Sequence, residues 1–161
     1  MKTLGLDISS TSTGWAVLSD RLVLDACGVI DFNTKTPHKE RMFILAETLA
    51  TLLLEHKPDW VVIEDTFLKA NVKVTKLLNK YSGVAIHTVY TKLGKDIPIA
   101  MLTPAAIRAA IFPKQKITKE YIDSHMKQKY NLDPALPNDI SDAIAAACYP
   151  HLKTVEKKDI M

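Results

Sequence analysis

The chain has 161 residues, 47% of them apolar and 24% charged, with a formal net charge of +3. That is the length of one domain with material for a real core, and the mild basic excess permits a polyanionic partner without requiring one. No apolar run is long enough to span a bilayer, and no secretory h-region forms before Asp7, so the sequence reads as a soluble, cytoplasmic protein.

Residues 3–9 read as a strand, 14–18 as the next and 22–32 as a third. The links are short, with Ser19-Asp20 as a turn, which predicts an antiparallel meander. After the loop "NTKTPHKE", residues 38–56 take a helical pattern with Met42, Leu45, Leu49, Leu52 and Leu53 on one side, and Pro58 ends it. "DWVVIED" reads as a buried strand, 72–92 as a second helix and "IPIAML" as another strand. Thr103-Pro104 opens a third helix as cap and first helical residue, 118–130 form a fourth, and a last helix spans 139–149 after the loop "LDPALPND". One domain over 1–152 and a charged tail over 153–161 are expected. The order β-β-β-α-β-α-β followed by helices suggests an α/β mixed sheet covered by helices, with its ligand site outside the carboxyl ends of the strands.

Asp7 and Glu64 both sit at those carboxyl ends, each at the end of an apolar run. A buried charge is expensive without a partner. Asp139 and Asp142, at helical spacing, open the last helix on one face, and the small residues "AIAAAC" that follow allow it to lie close on a sheet. If that helix packs over the two strand ends, four acids converge. Converging carboxylates repel unless a cation joins them, and hard oxygen donors suit Mg²⁺, with Mn²⁺ able to substitute. Two such ions about 3.5–4 Å apart stabilise both the attacking and the leaving oxygen of a phosphodiester displacement.

Each acid alone has an ordinary reading: a helix cap for Asp139, a strand-end ion pair for Glu64, a turn cap for Asp7. The combination, in this order, is more specific than any member. Cys27 and Cys148 lie in apolar segments as small core residues, and no CxxC or HExxH spacing points to zinc. Lys69, Lys73, Lys76 and Lys80 are spaced 4, 3 and 4 beside the second acid, with no compensating Asp or Glu among them. Such a run is usually a solvated face; here it fits a track for backbone phosphates.

Several stretches resemble the RuvC-type Holliday-junction resolvases of the RNase H-like superfamily. "LGLDISSTSTGWAVL" resembles that family's first strand, hairpin and second strand. "WVVIEDTFLKANVKVTKLLNKYSGVA" resembles its segment with the second acid, a nearby aromatic and a helix. "LTPAAIRAAI", "TKEYIDSHM" and "DISDAIAAACY" resemble its basic passage, its lysine-bearing helix start and its last acidic helix. The chain has "DISSTSTG" where bacterial members begin Asp-Pro-Gly, a departure that, with the compact length, points to a phage or other mobile-element branch.

The resemblance implies an RNase H-like five-stranded mixed sheet, a three-strand antiparallel meander plus two parallel strands, flanked by helices. It implies Asp7, Glu64, Asp139 and Asp142 as metal and catalytic acids, with two Mg²⁺ ions per site. Phe67 falls where the family places an aromatic that stacks near the branch point, though a core or loop anchor is the ordinary reading for such a residue. Arg108 and Lys119 fall where it carries basic residues near the scissile phosphate, and Lys116 could take the place of Lys119. The implied activity is resolution of four-way and other branched DNA by paired nicks, with no organic cofactor and no membrane partner. A homodimer matches the two-fold symmetry of a four-way junction. Its expected shared face is the helix over 72–92, whose apolar positions, including Val89 and Tyr90, exceed what one sheet-facing side needs.

Three other functions remain to be weighed. An actin-like ATPase opens with a similar strand, Asp and polar hairpin, but needs a second half and a Gly-rich nucleotide site that five glycines in one domain do not supply. An RNA-processing nuclease of the same superfamily shares the first Asp. A non-catalytic junction binder gains nothing from clustered negative charge.

Overall fold

A computed structural model describes residues 1–65 and 71–153. Phe67, Lys69 and nearly all of the expected tail over 153–161 lie outside those residues.

Strand β1 (Thr3–Ile8) pairs antiparallel with β2 (Ser12–Ser19), and β2 with β3 (Val23–Asp31). Strand β4 (Trp60–Glu64) pairs parallel with β1 on the other side, and β5 (Ile99–Leu102) parallel with β4. The sheet order is β3-β2-β1-β4-β5, the expected five-stranded mixed sheet. The helices are α1 (His38–His56), α2 (Val72–Leu93), α3 (Pro104–Ile111), α4 (Lys119–Lys129) and α5 (Asn138–Leu152). None of the described helices is long and apolar enough to cross a membrane.

Local chemistry decides where the elements begin and end. The β2–β3 link is a short 3-10 turn over Asp20–Leu22 with Arg21 and Leu22 at φ near 60°. Helix α1 closes at Lys57, in the left-handed region, whose N–H donates to the Leu53 carbonyl at 2.9 Å. Thr103, Thr118 and Asn71 each cap the following helix through a side-chain oxygen. Helix α5 runs one turn beyond its expected end, with Pro150 in that final turn.

Side chains alternate across the pleat, so each strand feeds two cores. Leu4, Leu6, Ile8, Val17, Val61, Ile63 and Ile99 face α1 and α2, where Leu45, Leu49, Leu53, Tyr81, Ala85 and Val89 meet them. Ala16, Leu18, Val62, Ala100 and Leu102 face the other way, under α3, α4 and α5. The result is a sheet between two helical layers.

One expectation about α2 is corrected by its packing. Val89 is fully buried, because it lies four residues after Ala85 on the stripe that faces the sheet. It therefore contributes nothing to a free face, and Tyr90 is itself packed against that core.

Candidate active site

The positions of Gly5 and Gly14 decide how the acids meet. A Cβ on Gly5 would stand 2.1 Å from the Ala143 carbonyl oxygen, and one on Gly14 2.1 Å from the Asp139 carbonyl oxygen. Only residues without a side chain let α5 lie this close across β1 and β2. Asp7 is two residues after Gly5 and cross-strand from Gly14, so its side chain shares the face that α5 covers. Glu64 follows Val62 by the same step and belongs to the same face. Asp7 and Glu64 come next after the paired Leu6 and Ile63, side by side on parallel strands.

The electrostatics bind these groups into one site. Glu64 is pushed up to about 8, first by burial and then by the negative charges of Asp7 and Asp142; Lys119 and Arg108 oppose the shift. Burial likewise raises Asp142, with Asp139 and Asp123 adding to it and Lys119 opposing. Lys119, at the start of α4, sits 2.7 Å from Asp142 Oδ2 and holds its proton more firmly for that hydrogen bond and for the fields of Asp7 and Glu64. Asp139 accepts a hydrogen bond from Ser12 Oγ at 2.5 Å. Among the described residues no group of three or more His, Cys, Asp or Glu side chains is already placed to hold a metal ion. The acids share a field, and the ammonium of Lys119 supplies part of the countercharge.

A half-buried, all-oxygen acid cluster with a lysine at its rim suits chemistry on a phosphodiester, and comparison with known proteins agrees. The family model for crossover junction endodeoxyribonuclease RuvC matches residues 3–150. The chain belongs to the RuvC family. The RuvC of Helicobacter pylori is 31% identical over 151 residues, covering 91% of this chain and 94% of its own. That of Burkholderia pseudomallei is 30% identical over 158 residues, covering 94% and 84%. In fold the chain is similar to Thermus thermophilus RuvC in complex with a Holliday-junction substrate, with a TM-score of 0.81, 18% identity, and coverage of 94% and 93%. The yeast mitochondrial Holliday-junction resolvase is more distant, at a TM-score of 0.62 and 12% identity over 90% and 75%. The RNase H-like architecture expected from the RuvC resemblance is thus present over nearly the whole chain.

Within this RuvC-family fold, Asp7, Glu64, Asp142, Lys119 and Arg108 fall into one electrostatic neighbourhood, with Asp139 joined through Asp142 and Ser12. Lys119 rather than Lys116 pairs with an acid; Lys116 is exposed in the segment before α4. Lys73, Lys76 and Lys80 are exposed along α2, which packs on the opposite face of the sheet. Three contributors escaped the sequence reading. Asp123, one turn after Lys119, adds to the field on Asp142 and pairs with Lys127 at 3.0 Å; its i, i+4 spacing was the available signal. Ser12 gave none, and neither did Arg41 of α1, whose guanidinium donates to the Ser10 carbonyl in the turn before Ser12, since a hydroxyl in a Ser/Thr run and an arginine in an amphipathic helix look ordinary.

Proposed function

We propose that this chain is a metal-dependent endonuclease that resolves four-way and other branched DNA by paired, symmetric nicks. One observation carries the reading: the neighbouring ends of β1 and β4 and the first turn of α5 bring acids together where burial first, and then the charges of Asp7 and Asp142, hold Glu64 near a pKa of 8, in a chain that matches the RuvC family over residues 3–150. Relatives named crossover junction endodeoxyribonuclease and a solved relative bound to a Holliday junction support the substrate.

Asp7, Glu64, Asp139 and Asp142 would hold Mg²⁺, or Mn²⁺ in its place, two ions to a site. The donor set fits, since all four are hard oxygen ligands and Glu64 and Asp142 are raised by burial and by neighbouring acids, a strain that a cation relieves. When bound, the ions would activate water and stabilise charge on the phosphate and the leaving oxygen. Lys119 meets the added negative charge from the rim, and Arg108 adds a second cation. Lys116, Lys69, Lys73, Lys76 and Lys80 would follow the backbone phosphates, and Phe67 would stack on a base near the branch. Residues 1–152 form one nuclease domain acting on DNA in the cytoplasm.

A four-way junction offers two equivalent strands and each chain one set of acids, so paired cutting calls for a homodimer. Exposed apolar side chains on the α1–α2 layer, Phe43, Ile44 and Leu54, support this layer as the shared face.

The test is incubation of the purified protein with four-way DNA junctions, linear duplex and structured RNA, with and without Mg²⁺. Symmetric nicking of the junction with Mg²⁺ alone is expected. Cleavage of RNA with the junction left intact would overturn the reading.

A further inference from the structure

The turn between β1 and β2 carries more hydrogen bonds than a simple reversal needs. The Ser9 N–H donates to the Ser12 carbonyl at 2.9 Å, and Ser9 Oγ donates to the same carbonyl at 2.8 Å. Ser9 Oγ also accepts from the N–H groups of Thr11 and Ser12, at 3.2 and 3.0 Å. From outside, Arg41 of α1, 6% exposed, donates through Nη1 to the Ser10 carbonyl at 2.9 Å. Its Nε donates to the Thr36 carbonyl at 2.7 Å and its Nη2 to that of Thr34. One buried guanidinium therefore ties the turn to the loop before α1.

This scaffolding presents the Ser12 hydroxyl, which donates to Asp139 Oδ2 at 2.5 Å. An aspartate in the first turn of a helix ordinarily turns its carboxylate back to the backbone N–H groups. Helix α5 has no side-chain cap, and Asp139 turns to β2 instead. Gly14, on the same face of β2 as Ser12, allows that approach.

We propose that Ser12 is a positioning residue for Asp139. It holds one carboxylate oxygen and leaves the other to a divalent cation. A neutral donor suits this task, because it fixes the carboxylate without cancelling its charge. Lys119 does the opposite at Asp142, where its ammonium must share the carboxylate with any metal. Ligating carboxylates are generally held by outer hydrogen bonds that tune affinity. The inference rests on the metal-dependent nuclease reading and adds a residue to it.

Calorimetric titration of the full-length protein with Mn²⁺, without DNA, tests it. Ser12→Ala is expected to bind Mn²⁺ about 10-fold more weakly, with a matching rise in the Mg²⁺ needed for half-maximal junction cleavage. Junction affinity without metal should not change. The isosteric pair Ser12→Thr and Ser12→Val isolates the hydroxyl: threonine should restore wild-type affinity and valine should not. If Ser12→Val binds Mn²⁺ as tightly as wild type, or Ser12→Thr is as impaired as Ser12→Val, the assignment is wrong while the nuclease reading stands. Wild-type protein that neither binds Mn²⁺ nor cuts the junction overturns the nuclease reading and this assignment with it.

Discussion

The two ends of the sheet handle charge in opposite ways. At the end where β1 begins, the Met1 ammonium pairs with Asp20 at 2.8 Å, the Lys2 N–H donates to Asp59 at 2.7 Å, and Thr3 Oγ1 meets His151 Nε2 at 3.1 Å. Each polar group has its partner, and the charged ones remain wet. At the other end, acids from β1, β4 and α5 crowd under a helix, and burial raises Glu64 and Asp142 while one lysine compensates in part. Folding alone favours the first arrangement. The second is what the proposed metal-dependent nuclease site calls for, negative charge that a cation and a substrate would complete, and such a conflict between stability and function is familiar at active sites.

The largest expected effect comes from removing one of the crowded charges. Asp7→Asn should lower Mg²⁺-dependent junction cleavage by about 10³-fold or more, the scale of several kcal/mol of lost charge stabilisation. Junction affinity should stay equal or rise, since a negative charge has been taken from a phosphate-binding face. A cleavage assay beside a gel-shift titration separates the two, and cutting at the wild-type rate would contradict the metal site.

Next in size is the close approach that builds the crowd. A Cβ on Gly14 meets the Asp139 carbonyl oxygen at 2.1 Å, backbone against backbone, with no flexible tip to yield. Gly14→Ala should cost about 3 kcal/mol in denaturant unfolding and displace α5 from the strands, taking cleavage with it. Wild-type stability would mean that α5 does not sit where the fold places it.

Much of this end was legible in the sequence. Apolar runs ending in Asp7 and Glu64, and a small-residue helix opening with Asp139 and Asp142, mark through composition and spacing the acids that the fold brings into one neighbourhood. Ser12 was not legible, because five adjacent Ser and Thr residues, 9–13, offer five hydroxyls, and only the pleat decides which one faces α5. Nothing in the sequence sets Arg41 apart from a solvated position of an amphipathic helix, because its partners are carbonyls of the turn and of the loop before α1. Val89 misled because α2 carries apolar residues round much of its circumference, so the stripe that meets the sheet is fixed by tertiary packing.

The titration of Glu64 gives a pH test. Its pKa in the folded, metal-free protein, about 8, lies above the ordinary carboxylate value of 4.5. The folded state thus holds the proton that the unfolded state releases, so stability is greatest below about 4.5 and is lost as pH rises towards about 8. Asp142 acts in the same direction. In chelator-treated protein the melting temperature should fall across that window. Glu64→Gln should remove most of the fall and gain about 2–3 kcal/mol at the alkaline side. A flat wild-type profile would show that the crowding is weaker than the geometry implies.

Arg41→Ala should be milder, at about 2 kcal/mol in urea unfolding, since a buried donor to three carbonyls is lost but water can reach the loop carbonyls it leaves. The unfolding midpoint checks it, and an unchanged midpoint would remove Arg41 as the anchor of the turn.

The smallest effect tests the layer farthest from the acids. Gly83 lies exposed in α2 with nothing within 4 Å of where a Cβ would stand, the reverse of Gly14. In an isolated chain Gly83→Ala should stabilise the helix by about 0.5–1 kcal/mol, because alanine loses less backbone entropy and fits the helical φ without strain. If α2 joins α1 in the face shared by two copies, the same methyl group meets the partner helix. The variant would then gain stability as a monomer and lose dimer affinity. Thermal unfolding and sedimentation on one sample read both quantities. A gain in melting temperature with dimerisation unchanged would place the shared face away from Gly83.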